Sequence, residues 1–131
     1  MGAWGYGNFE NDIVLDWVED LLDTQDLRLI SESINTVLDD SYLDAATASI
    51  AVGAIEILAA MQNRPGTEDY DDELEDWINQ HKGQGTNLLV TANEALGKIL
   101  TISELKELWQ ESENYEDWVK TIKELEERLI L

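Results

Sequence analysis

The stretch DAATASIAVGAIEILAAM, residues 44–61, is the most apolar part of this 131-residue chain. Its apolar side chains fall on every side of a helical projection and not on one stripe. A helix of this kind belongs in the centre of a bundle, and its many alanines let neighbouring helices approach closely. We therefore predict a central buried helix, ended by the turn residues Asn63-Arg64-Pro65-Gly66.

Other segments on both sides of this stretch repeat apolar residues at helical spacing, and none shows the sustained alternation of a strand. The further predicted helices cover residues 12–22, 26–38, 68–81, 86–100, a short segment near 103–109, and 115–130. The expected fold is all-α: a single compact bundle of six or seven helices around the central Ala-rich helix. One acidic domain should span residues 1–131, with the Gly-rich aromatic segment 1–11 packed on it.

Short polar residues mark several expected helix starts. Asn11 and Thr24 are candidate N-caps for the first two helices. Thr101 and Glu104 have the spacing of a capping box. Near the end of the chain, Glu116 with Lys120 and Glu124 with Arg128 are expected to pair across one helical turn.

The charge is far from balanced. Eight Lys and Arg stand against 29 Asp and Glu, a net charge of −21, whereas about 2–8 in magnitude is usual for a small soluble domain. Residues 1–81 carry −17 of this, from 19 acidic and two basic residues. The chain has no cysteine, which excludes disulfides, and no apolar run near the ~20 residues that span a bilayer. With no export signal at the N-terminus, we expect a cytoplasmic protein without membrane contact.

Two acidic clusters are the candidate binding surface. Residues 68–76 contain seven acids around Tyr70 and Leu74. A second cluster, Asp16, Glu19, Asp20, Asp23 and Asp26, lies along and just after the first helix. The macrodipole explains a few acids at a helix start but not all seven. The predicted partner-binding residues are Glu68, Asp69, Tyr70 (as an aromatic anchor), Asp71, Asp72, Glu73 and Asp76, with Asp16, Glu19 and Asp20 as a secondary patch.

No recognisable catalytic constellation is present. The acidic run lacks the glycine of a calcium loop, so we expect no metal site. His81, the only histidine, is expected in an exposed loop, and without cysteine there is no basis for a zinc site or Cys–His catalysis. The sequence therefore predicts no enzyme and no cofactor.

Glu56 is unusual because it lies in the most apolar helix. A buried carboxylate needs partners; backbone amides of the N-terminal segment, a Trp indole or Arg64 are the alternatives. We expect this acid to fix the N-terminal segment, and a functional role is the other interpretation. Trp4, Asn11, Asp12, Trp17 and Trp109 are the other residues for which we predict structural roles.

Several of these residues belong to a wider pattern. The opening Met1-Gly2-Ala3-Trp4-Gly5-x-Gly7-x-Phe9-x-Asn11-Asp12, then Asp16-Trp17, Tyr42-Leu43-Asp44-Ala45 and Ser103-Glu104-Leu105-x-x-Leu108-Trp109, resembles the bacterial DUF4259 domain family. The resemblance spans nearly the whole chain. It implies a small domain of unassigned function and brings no catalytic residues.

The acidity favours a binding protein. The leading hypothesis is an immunity-type inhibitor of a basic partner such as a nuclease or deaminase toxin, because a negative face speeds association with a cationic cleft. One alternative is a DNA mimic that occupies a nucleic-acid-binding protein; another is an acidic structural or stress protein whose charge serves only solubility or salt adaptation. None of these hypotheses involves direct contact with nucleic acid, and the sequence leaves the oligomeric state open.

Overall fold

The computed structural model describes residues 7–9, 11–66 and 71–130 of the chain. These residues form seven α-helices and one 3₁₀ turn, with no sheet in the described ranges. The helices are α1 (Asp12–Leu22), α2 (Arg28–Asp39), α3 (Ala45–Met61), α4 (Asp72–Gln80), α5 (Leu89–Thr101), α6 (Glu104–Gln110) and α7 (Tyr115–Arg128), and the 3₁₀ turn covers Thr86–Leu88. The all-α prediction is confirmed.

The Ala-rich helix α3 is the centre of the fold, as its composition predicted. It packs against each of the other six helices. Every residue from 51 to 61 is buried, including the charged Glu56. Amphipathic helices such as α2 and α7 bury only one stripe against it.

Gly53 is the point where α1 crosses α3. A Cβ at this position would lie 2.5 Å from Val14 Cγ1, closer than two carbon atoms can approach. The glycine therefore lets the two helices come together at a distance that alanine would not allow. Because α1 carries one of the acidic clusters, this crossing helps to fix where that cluster lies.

Four of the helix starts in the described ranges have side-chain caps, from Asn11, Asp44, Asp71 and Ser103. Asn11 has an extended backbone, and its Oδ1 accepts a hydrogen bond of 2.9 Å from the Ile13 amide; this prediction is confirmed. Asp44 accepts from the Thr47 amide at the start of α3, and Asp71 accepts from the Leu74 amide at the start of α4.

Two predicted caps are wrong. Thr24 does not cap α2, because its hydroxyl donates to the Leu21 carbonyl at 2.7 Å and closes the end of α1. Thr101 does not open α6, because it is the last residue of α5; Ser103 is the cap and accepts from the Lys106 amide. Glu104 does not complete a capping box and instead accepts from the Ala45 amide at 2.7 Å.

The predicted bounds of two helices also need correction. Asp71 has an extended backbone, so α4 begins at Asp72 and not at residue 68. Residues 86–88 form a 3₁₀ turn before α5 instead of its first turn. A glycine at position 85, with φ of +84°, precedes this turn and explains the separate start.

His81 is buried, so the prediction of an exposed loop histidine is wrong. It caps the C-terminal end of α4, and its ring stacks on Trp77 with centroids 4.0 Å apart. Its Nδ1 lies 2.7 Å from the Trp77 carbonyl oxygen and its Nε2 lies 3.1 Å from that of Gln25. The ring therefore joins α4 to the connection between α1 and α2. It occupies a structural position.

Candidate functional site

The acids on α4 are positioned partly by helix capping. Asp71 is the N-cap, and Asp72, Glu73 and Glu75 lie in the first turn, where the helix dipole favours negative charge. Asp76 follows in the second half of this nine-residue helix. Capping and the dipole therefore account for most of the predicted α4 residues, and Asp76 is the exception.

The acids at the C-terminal end of α1 have no such explanation. Glu19 and Asp20 lie in its last turn and Asp23 is the C-cap, while the last turn contains no basic residue. Negative charge at the C-terminal end of a helix opposes the helix dipole. These side chains are exposed, as is Asp16 one turn earlier. Glu19, Asp20 and Asp23 are thus the acids whose charge lowers the stability of α1.

The two helices that carry the described acids of these clusters are neighbours in the fold. Helices α1 and α4 are in contact, and Trp77 Nε1 donates to the Thr24 carbonyl at 3.0 Å just beyond the end of α1. We use "acidic surface" for the exposed acids from Asp16 to Asp23, along and just after α1, and for those from Asp72 to Asp76 on α4. They are Asp16, Glu19, Asp20, Asp23, Asp72, Glu73, Glu75 and Asp76.

No basic side chain in the part of the chain that the structure describes forms an ion pair with this surface. Within residues 7–9, 11–66 and 71–130, the ion pairs join Arg128 to Glu56 and to Glu124, and none involves an acid of α1 or α4. The predicted Glu124–Arg128 pair is therefore confirmed. The predicted Glu116–Lys120 pair does not form among these residues.

Some predicted residues lie outside the described part of the chain. They are Glu68, Asp69 and Tyr70 of the acidic run and Trp4 of the N-terminal segment. Among the predicted structural residues, Trp17 and Trp109 are buried, and Trp109 stacks on Trp118 with ring centroids 6.4 Å apart. Asp12 is exposed in the first turn of α1, where its charge favours the helix dipole and its side chain is not part of the core.

Glu56 is the centre of a buried polar network. Asn8 Nδ2 donates to its Oε1 at 3.0 Å, and Arg128 Nη2 donates to the same oxygen at 2.8 Å. Arg128 Nη1 donates to Oε2 as well. The expected partner Arg64 contributes only its backbone carbonyl, which accepts from Arg128 Nη1 at 3.2 Å. Glu56 therefore holds Asn8 through its side-chain amide and not through a backbone amide, and its arginine partner is Arg128 and not Arg64.

The charge of Arg128 is strongly favoured in this network. Burial by itself would lower the pKa of Arg128, but hydrogen bonds and the negative charges of Glu56 and Glu124 outweigh it and raise the pKa. Arg128 was singled out in the sequence only through its spacing from Glu124. Nothing in the sequence indicated its contact with Glu56, because that contact depends on how α7 packs on α3.

The described residues contain no group of three or more His, Asp or Glu side chains that could hold a metal ion. Three surface hollows, of about 260, 210 and 300 Å³, each contain one carboxylate, from Glu32, Glu107 and Glu104 respectively. In the last of them the Glu104 carboxylate already binds the Ala45 amide. A paired-carboxylate mechanism would need a second acid in the same hollow.

Fold and surface together define a small helical protein with a buried ion pair at its centre and uncompensated acids on two adjoining helices. The chain belongs to the family described as a domain of unknown function, DUF4259, whose model matches residues 2–121. Arg128 lies beyond the matched range. Searches of curated proteins and of solved structures found no match. None of the helices in the described ranges is both long and apolar enough to cross a membrane.

Proposed function

We propose that this protein binds and inhibits a basic partner protein through its acidic surface, as an immunity-type protein would neutralise a nuclease or deaminase toxin. The observation that carries the proposal is the placement of Glu19, Asp20 and Asp23. They oppose the dipole of α1 and form no ion pair within the described residues. Acids that lower the stability of their own helix are better explained by a binding role than by folding.

The electrostatics give a reason for such a surface. Association between oppositely charged faces is accelerated, and wrong partners are rejected when like charges meet. A net charge of −21 also disfavours contact with nucleic acid or anionic lipid. In this proposal the protein acts in the cytoplasm, where it meets its partner, and it performs no catalysis of its own.

Partner capture at low salt tests the proposal. The purified protein is used as bait in an extract of the source cells, the captured protein is identified by mass spectrometry, and its Kd is measured from low to high salt. The test variant is Glu19→Gln, Asp20→Asn, Asp23→Asn. The control is Glu113→Gln, Glu116→Gln, Glu127→Gln, which removes the same number of exposed acids elsewhere.

We expect a basic partner whose affinity falls with salt, and a loss of affinity of about tenfold or more in the test variant, mostly through slower association. The control variant should bind like the wild type. Unchanged affinity in the test variant, or no dependence on salt, would overturn the assignment. Growth rescue upon co-expression with a toxic partner supports inhibition, and competition by duplex DNA for the same partner identifies the DNA-mimic alternative.

A further inference from the structure

A groove of about 260 Å³ lies beside the C-terminal half of α1, between α1, α2 and α3. Trp17, Leu29 and Ile50 provide its apolar wall, one from each helix. The volume is below the range of about 300–1,000 Å³ that is usual for drug-sized ligands. A groove of this size suits one long side chain better than a cofactor.

Two of the three hydroxyl groups that line this groove, those of Ser33 and Thr36, are free only to accept. Ser33 Oγ donates its hydrogen to the Leu29 carbonyl and Thr36 Oγ1 donates to the Glu32 carbonyl, each at 2.8 Å. A hydroxyl that has already donated its hydrogen offers only lone pairs to a ligand. The groove therefore favours a ligand group that donates hydrogen bonds.

Glu32 supplies negative charge at the same place. Its side chain is exposed and lines the groove, and no hydrogen bond or ion pair from the described part of the chain engages its carboxylate. Asp20 of the acidic surface is three residues after Trp17, so the two neighbour each other on α1. No Lys or Arg lines the groove. The groove therefore adjoins the acidic surface, and both carry negative charge.

We propose that this groove receives one arginine or lysine side chain of the basic partner. The aliphatic stem would pack along Trp17, Leu29 and Ile50, and the cationic head would bind Glu32. Arginine and lysine combine an apolar stem with a head that only donates, which is the complement of this lining. The inference rests on the proposed function and adds an anchoring position to it, since single buried arginines often dominate an interface.

An NMR titration with short peptides tests the groove separately from the whole surface. The probes are acetyl-Gly-Ser-Arg-Ser-Gly-amide, the same peptide with lysine, and the same peptide with citrulline, which keeps the shape of arginine without its charge. The indole signal of Trp17 and the methyl signals of Leu29 and Ile50 report on the groove. Backbone amides of α1 and α4 report on the acidic surface.

We expect the arginine and lysine peptides to shift the groove signals and the citrulline peptide to leave them in place. Glu32→Gln should weaken peptide binding by about fivefold, the effect of losing one partly exposed ion pair. Glu113→Gln, an exposed acid between α6 and α7, is the matched control and should have no effect. Glu32 is exposed, so this substitution should not disturb folding.

Equal shifts with citrulline, or unchanged affinity in Glu32→Gln, would overturn the inference. Shifts confined to the acids of α1 and α4 would also overturn it, and in that case the proposed function still stands. Failure of the proposed function would instead be seen in the capture experiment, as a partner whose affinity depends on neither salt nor the α1 acids. The two failures are therefore distinguishable.

Discussion

Glu56 and Arg128 are 72 positions apart, and they form a two-pronged ion pair inside the bundle. The Glu56 side chain is 3% exposed and that of Arg128 is 11% exposed. Asn8 donates to the same carboxylate, and a Cβ on Gly66 would lie 3.1 Å from both Arg128 Nη atoms. One pair therefore connects α3, α7, the loop after α3 and the N-terminal segment.

Removing either member of this pair should be strongly destabilising. Glu56→Gln leaves the largely buried guanidinium with only the exposed Glu124 as a counter-charge, and Arg128→Met leaves a buried carboxylate without one. Breaking a buried pair costs about 3–5 kcal/mol of unfolding free energy. Chemical denaturation measures the effect. Glu124→Gln, which removes the exposed partner of Arg128, should cost less than about 1 kcal/mol.

The double variant Glu56→Leu, Arg128→Met gives a stricter comparison. Because neither side chain leaves an unmatched charge, we expect it to be more stable than Arg128→Met alone. If the loss in the double variant equalled the sum of the losses measured for Glu56→Leu alone and Arg128→Met alone, the two residues would be acting independently and the pair would not carry this role.

The sequence revealed local features and missed long-range ones. The central position of α3 and the Asn11 cap could be predicted, because all-round apolarity and N-cap chemistry are properties of neighbouring residues. The partner of Glu56 could not be predicted from spacing, because α7 packs on α3 only after folding. The prediction of an exposed His81 was wrong for the same reason. Gly83 and Gly85 nearby indicated a turn, but the His81 ring lies against the Gln25 carbonyl of a segment that is distant in the sequence.

The candidate site also contains features that the sequence predicted and features that it did not. The sequence located the acids of α1 and α4, and a split of charge along the chain was enough for this. It ranked the α4 cluster first by density. The structure gives a stronger reason to consider the α1 acids. Asp71 is explained by its role as a cap, whereas Glu19 and Asp20 oppose the dipole of α1. The end of α1 could not be placed exactly from the sequence. The Glu32 groove had no sequence signal, since three helices build it.

Gly53 and Gly97 should respond oppositely to alanine. Both lie within helices, and alanine is favoured over glycine there by about 0.5–1 kcal/mol. A Cβ on Gly97 meets nothing within 4 Å, so Gly97→Ala should stabilise by that amount. At Gly53 the Cβ would meet Val14, and overpacking of this kind costs about 1–3 kcal/mol. Thermal unfolding of both variants measures the difference, and Gly53→Ala with Val14→Ala should recover part of the loss. Equal gains at both sites would contradict the close crossing of α1 and α3.

Gly85 and Gly83 separate backbone strain from packing. Their φ angles are +84° and +80°, so alanine is strained at both. A Cβ on Gly83 meets nothing within 4 Å, whereas one on Gly85 would lie 2.7 Å from Leu58 Cδ1 in the core. Gly83→Ala should cost about 1 kcal/mol from strain alone, and Gly85→Ala about 1–3 kcal/mol more from overpacking. Urea denaturation compares them; losses of the same size would show that Gly85 is not needed for close packing on α3.

The α1 acids and the α4 acids should differ in how the stability of the protein responds to loss of their charge. Glu19→Gln with Asp20→Asn removes negative charge from the C-terminal end of α1, and Asp72→Asn with Glu73→Gln removes it from the N-terminal end of α4. Each charge near a helix end contributes about 0.3–1 kcal/mol at low ionic strength. The α1 substitutions should therefore stabilise the protein. The α4 substitutions should stabilise it less or destabilise it, because both pairs of substitutions also relieve repulsion within a chain of net charge −21.

Melting curves at about 10 mM and about 1 M salt should show that the difference between the two variants shrinks, because the screening length falls from about 30 Å to about 3 Å. An α4 pair that stabilises more than the α1 pair at low salt would remove the argument that the α1 acids are kept for binding and at a cost to the fold.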